Sequence, residues 1–97
     1  MAAAEEILTM LRQMKPELTA VFKVHEIGLF GSVVRGEERE SSDIDLLVEM
    51  DQSADLLDLV GLGQFLEERF HRRIDIVPRG GLRDELKERV LKEVVYP

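Results

Sequence analysis

Apolar residues recur at helical spacing over residues 3–14, at Ile7, Leu8, Leu11 and Met14, with Glu5 and Glu6 in the first turn, where acidic side chains complement the helix dipole. This predicts an amphipathic helix. Pro16 suits the first position of a second, short helical piece over residues 16–22, with Leu18, Val21 and Phe22 on its buried side. From His25 the period changes to two. Ile27 and Leu29 alternate with polar or small neighbours, which predicts a first strand over 25–31. Gly31-Ser32 closes it, residues 33–36 form a short helical turn, and a polar loop follows over 37–42. Alternation returns in residues 43–48, where Ile44, Leu46 and Val48 face the core while Asp43 and Asp45 share the other side.

Residues 50–53 form a turn, and Ser53 or Asp55 caps the longest helix, which runs to about Phe70. Leu56, Leu59, Val60, Phe65, Leu66 and Phe70 supply its apolar side. Gly61 and Gly63 each weaken that helix by about 1 kcal/mol relative to alanine, so a close approach to the sheet or a local bend is expected. Ile74-Asp75-Ile76-Val77 is a short strand with the isoleucines inward and Asp75 outward, and residues 78–81 are a turn. Leu82, Leu86 and Val90, with Leu91 and Val94, define a final helix whose charged residues, from Arg83 to Glu93, form a solvated face. The last four residues, Val94-Val95-Tyr96-Pro97, are compatible with a fraying end, an edge strand or a docking tail.

These elements predict an α/β (α+β) fold: a small mixed β-sheet of three to four strands with helices packed on one face. At 97 residues the chain fits a single domain over 1–97, burying roughly 60–65% of its unfolded surface. Hydrophobic residues at 44% and charged residues at 34% are those of a soluble globular protein. Cysteine is absent, which excludes disulfides and thiolate metal sites, and no stretch has the pattern of a signal peptide or the length of a membrane span; a cytoplasmic location is expected. A formal net charge of −7 argues against stable nucleic-acid binding, which needs clustered Lys and Arg. It suits solubility or docking to a basic protein. His25 and His71 lack a second His or Cys at ligand spacing and are boundary residues.

The candidate chemistry lies in the two aspartate-bearing strands. Side chains two residues apart on a strand stand roughly 7 Å from each other, so Asp43 and Asp45 repel and raise each other's pKa unless a cation sits between them. An oxygen-only donor set favours Mg²⁺ or Mn²⁺ over zinc. If the Asp75 strand is a neighbour, three carboxylates meet on one patch, and aspartate is depleted in strands, so three in two short strands call for a reason. Taken alone, Asp75 is a solvated strand residue and Gly31-Ser32 a tight turn. A strand that ends in Gly-Ser and turns into a helix also aims backbone N–H groups where a phosphate can sit. It is not a Walker A loop, because no Lys-Ser or Lys-Thr follows the second glycine.

Gly31-Ser32-x-x-Arg35-Gly36, Ser42-Asp43-Ile44-Asp45-Leu46-Leu47-Val48 and Asp75 together resemble the nucleotidyltransferase superfamily of DNA polymerase β type, and within it the minimal nucleotidyltransferase (MNT) antitoxins paired with HEPN-domain toxins. The likeness spans almost the whole chain. It implies the polymerase β-like fold, with Gly31 and Ser32 holding a nucleoside triphosphate, and Asp43, Asp45 and Asp75 forming the catalytic site on two Mg²⁺ ions, or Mn²⁺. Arg35, and after it Arg39, would neutralise phosphate; Arg35 is equally suited to pairing with a nearby Glu. The implied reaction moves AMP from ATP to a tyrosine hydroxyl of a HEPN RNase toxin, releasing pyrophosphate and silencing the toxin. Larger members carry extra domains for base and acceptor, so a partner is expected to complete the site; self-association is also compatible with the sequence. The alternatives are an idle antitoxin that masks the toxin by binding, a nucleotidyltransferase acting on a small molecule, and a plain interaction module. Tyr96, the sole tyrosine, is either a terminal packing residue or itself an acceptor.

Overall fold

A computed structural model describes residues 3–37 and 42–97. The elements run α1 (Ala3–Phe22), β1 (Val24–Phe30), α2 (Ser32–Arg35), β2 (Ile44–Met50), α3 (Leu56–Phe70), β3 (Ile74–Pro78), a 3₁₀ turn (Arg79–Gly81) and α4 (Asp84–Glu93). The two helical pieces expected before the first strand are one helix, and at 20 residues α1, not α3 with 15, is the longest. Pro16 is exposed, so its missing N–H and its ring fall on the solvent side, while Ile7, Leu11, Met14 and Leu18 keep one buried stripe running past it. Continuous packing of that stripe outweighs a local helix breaker, whose cost is about 3 kcal/mol. The Thr19 hydroxyl donates to the Val24 carbonyl at 2.9 Å and ties the end of α1 to β1.

The sheet has the order β1-β2-β3, with β1 antiparallel to β2 and β2 parallel to β3. The expected inward residues Ile27, Leu29, Ile44, Leu46 and Val48 are all buried, in one core with Leu11 and Leu18 of α1 and Leu62 and Leu66 of α3. Ile74 and Ile76 of β3 pack against it. Helix α3 starts at a capping box: Asp55 accepts from the Asp58 N–H and Asp58 from the Asp55 N–H, each at 3.0 Å. Its buried stripe passes through Leu59, Leu62, Phe65 and Leu66, so Leu56 and Val60, expected inside, are exposed, as are Val21 of α1 and Leu86 of α4. Gly61 lets the Phe22 ring of α1 come close, whereas Gly63 makes only ordinary contact with Ile76 of the sheet.

Of the three readings left open for the C-terminus, the edge strand holds. Leu29 and Val95 exchange both backbone hydrogen bonds at 2.8 Å, so the tail pairs with the outer edge of β1. Val94 and Tyr96 then lie over Gly28, where a Cβ would collide with both. Tyr96 thus packs its ring over Gly28 while remaining exposed on its other side. Among the described residues no helix is long and apolar enough to cross a membrane.

Candidate functional site

The site residues lie where β1 ends and β2 and β3 begin. β2 and β3 pair in a register that sets Asp45 directly beside Asp75, and on the other side Asp45 pairs with Phe30, the last residue of β1. Parallel neighbours stand about 4.8 Å apart, so the two carboxylates face out together on the side of the sheet away from α1 and α3. They are within hydrogen-bonding reach of each other. Burial, then the charges of Asp75 and Asp43 and the hydrogen bond with Asp75, push the Asp45 carboxyl up to about 6, against a smaller opposing pull from Arg35.

Asp43 stands differently. β2 begins at Ile44, so Asp43 precedes the ladder, is exposed, and acts on Asp45 through its charge. Among the described residues no three Asp, Glu, His or Cys side chains are grouped closely enough to hold a metal ion as they stand. The expected meeting of three carboxylates is a meeting of two with the third beside them. Two carboxylates set side by side, one of them raised in pKa by burial and by its neighbours' charge, offer only oxygen donors and fit a hard divalent cation such as Mg²⁺ or Mn²⁺.

Gly31 forms the wall of the same site. Its backbone, at φ 84° and ψ −155°, lies in a region that glycine alone adopts freely, and a Cβ there would overlap the Asp45 carboxylate. The strand-to-helix turn and the acidic pair are therefore in contact. Ser32 opens α2, and by the geometry of a helix start the N–H groups of Ser32, Val33 and Val34 have no acceptor within the helix. The Gly31 N–H is not free: it donates to Glu93 Oε2 at 2.8 Å. Arg35 is paired with carboxylates, donating from Nη1 to Glu93 Oε1 at 2.7 Å and from Nε to Glu37 at 2.9 Å. Arg39 lies outside the described residues.

Glu93 corrects the expectation of a wholly solvated charged face on α4. Its side chain is 15% exposed. Burial works to raise its pKa, but hydrogen bonds from Arg35 and the Gly31 N–H, with the charges of Arg35 and Arg89, hold it below the ordinary carboxylate value. Glu93 falls three residues after Val90, the buried residue of α4. A carboxylate on an apolar stripe needs a partner, and that was the available signal. His25 and His71 are boundary residues as expected: His25 pairs with Asp51 at 3.0 Å and His71 is the left-handed cap of α3.

Residues 6–97 match the family model of a nucleotidyltransferase domain. The chain is 43% identical over 96 residues to a protein of Thermococcus cleftensis named protein adenylyltransferase MntA, spanning 99% of this chain and 97% of that one. A solved structure assigned as a minimal nucleotidyltransferase superposes with a TM-score of 0.81 at 40% identity, covering 95% of this chain and 94% of the other. A chain of a toxin–antitoxin complex with AMP-PNP superposes with a TM-score of 0.69 at 26% identity, over 97% of this chain and 71% of that one.

Proposed function

The chain belongs to the nucleotidyltransferase domain family, and on that premise we propose that it is an antitoxin which transfers AMP from ATP to a tyrosine hydroxyl of a HEPN-domain toxin. The observation that carries this reading is the Asp45–Asp75 pair set in register against the Gly31 turn. It puts an acidic pair suited to a metal in contact with a turn suited to a phosphate chain. The named activity of the Thermococcus relative and the nucleotide analogue in the toxin–antitoxin complex support the choice of substrate and partner.

In this reading Asp45 and Asp75, joined by Asp43, hold Mg²⁺ or Mn²⁺, which would supply charge neutralisation and a more acidic acceptor hydroxyl. The N–H groups that open α2 and the Ser32 hydroxyl donate to phosphate oxygens. Glycine at position 31 lets the triphosphate approach the backbone beside Asp45. Arg35 holds the turn through its carboxylate partners. The acceptor oxygen attacks the α-phosphorus, a new P–O bond forms as the α–β bridge breaks, pyrophosphate leaves, and the hydroxyl proton passes to solvent. The protein's part is positioning and electrostatic neutralisation.

The test is intact mass spectrometry of the cognate toxin after incubation with the protein, ATP and Mg²⁺. Adducts of AMP mass that map to tyrosine are expected. Inhibition of the toxin without any mass change would replace transfer with masking.

A further inference from the structure

Resting on the reading above, we infer that Glu93 is a positioning residue for nucleotide transfer: one carboxylate on α4 grips both ends of α2 and keeps the phosphate-binding turn in shape. α2 has only four residues, too few to hold a helical turn unaided, because nucleation costs more than one or two backbone hydrogen bonds return. Its N-terminal cap is Gly31 and its last residue is Arg35, and these are the two groups that Glu93 binds, one with each carboxylate oxygen. No other side chain among the described residues bonds to both.

The direction of approach separates a clamp from a competitor. Along a strand, alternate residues present their N–H groups to the same edge. The Leu29 N–H is bonded to Val95 on the outer edge of β1, so the Gly31 N–H points to that edge too, away from β2 and Asp45. Glu93 thus reaches the turn from behind. The N–H groups of Ser32, Val33 and Val34 have no acceptor within α2, and the Asp45 carboxylate lies where a Cβ of the same glycine would stand. Two residues after Glu93, Val95 pairs with Leu29, so the end of α4, the tail and the nucleotide turn form one connected unit.

The experiment compares parent protein, Glu93→Gln, Glu93→Ala and the exposed control Glu88→Gln, whose residue pairs with Lys92 on the same helix. Amide hydrogen exchange reads the turn, and calorimetric titration with AMP-PNP and Mg²⁺ reads nucleotide binding. Exchange at Gly31, Arg35 and Glu37 should quicken about tenfold in Glu93→Ala, and AMP-PNP affinity should fall about tenfold, the scale of losing a hydrogen bond to a charged group. Glu93→Gln, which keeps one acceptor oxygen, should fall between it and the parent, and Glu88→Gln should match the parent. Tighter AMP-PNP binding in Glu93→Ala would recast Glu93 as a competing anion and overturn the inference, as would unchanged exchange. A parent that binds no AMP-PNP even alongside its cognate toxin would instead defeat the proposed function, and the exchange data alone would then decide whether the clamp exists.

Discussion

The two ends of β2 carry aspartates in opposite circumstances. At the far end, Asp51 accepts hydrogen bonds from the Ser53 hydroxyl and, at 2.9 Å, the Ser53 N–H, and it pairs with His25 at 3.0 Å. These bonds, the Ser53 hydroxyl first, hold its carboxyl down at about 2. At the near end, Asp45 sits partly buried beside Asp75, with Asp43 adding to the repulsion, and titrates near 6. The same residue type on one strand is satisfied at one end and left in like-charge company at the other. Donors arranged around Asp51 fix a turn, whereas the crowding at Asp45 would be relieved by a cation, which makes that end the one suited to chemistry.

Replacing Asp45 by Asn is the largest blow available to that contrast. Transfer to the toxin is expected to fall by about a hundredfold or more, on the scale of losing a central electrostatic contact in a transition state. The fold should survive. A folded-state pKa raised from 3.8 to about 6 contributes stability that is fully present below 3.8 and is lost as pH rises through 6. Without metal, Asp45→Asn should therefore gain in melting temperature relative to the parent as pH is raised across that window. Mg²⁺ should raise the parent's melting temperature above the window and leave the variant's unchanged. Parallel melting curves at every pH, with or without Mg²⁺, would erase the difference between the two ends.

Gly31→Ala tests the wall against which Asp45 packs. The new methyl group meets the Asp45 carboxylate and holds a backbone geometry worth about 1–3 kcal/mol of strain, so a loss at the upper end of that range is expected in urea unfolding. Gly36→Ala is the internal standard. Its φ of 73° is also left-handed, but nothing lies within 4 Å of the added carbon, so only the conformational cost of about 1 kcal/mol applies. Equal losses would mean that the turn and the acidic pair are not pressed together.

Much of this site was legible from alternation. A period of two put Asp45 and Asp75 on outward faces, and their inward neighbours Ile44, Leu46, Ile74 and Ile76 are where that pattern places them. Register was not legible: the side-by-side placement of Asp45 and Asp75 depends on how β2 and β3 slide past each other, which the helix between them and the core settle together. The strand begins one residue later than expected, at Ile44, which leaves Asp43 just ahead of the ladder with its charge still felt by Asp45. Pro16 misled because a local rule about helix starts carried more weight than the stripe that continues through Leu18. Leu56 and Val60 were placed inside by composition, although the phase of Leu59, Leu62 and Leu66 puts them on the far side of the helix. Glu93 was lost in a run of charges, and its distinction is visible only as a position on the stripe of Val90.

Asp51→Asn should have the smallest effect, and its pH dependence runs opposite to that of Asp45. A depressed folded-state pKa contributes stability that is present above 3.8 and lost as pH falls through about 2. The variant should melt slightly below the parent at neutral pH, and the gap should close in strong acid. Transfer to the toxin should be unaffected, because Asp51 follows β2 at the end away from Gly31 and Asp75. Substitutions at the two ends of one strand then separate cleanly: loss of transfer with stability kept at Asp45, loss of stability with transfer kept at Asp51. If Asp51→Asn slowed transfer as much as Asp45→Asn, both ends of β2 would have to belong to the site, and the Asp45–Asp75 register would no longer suffice to locate it.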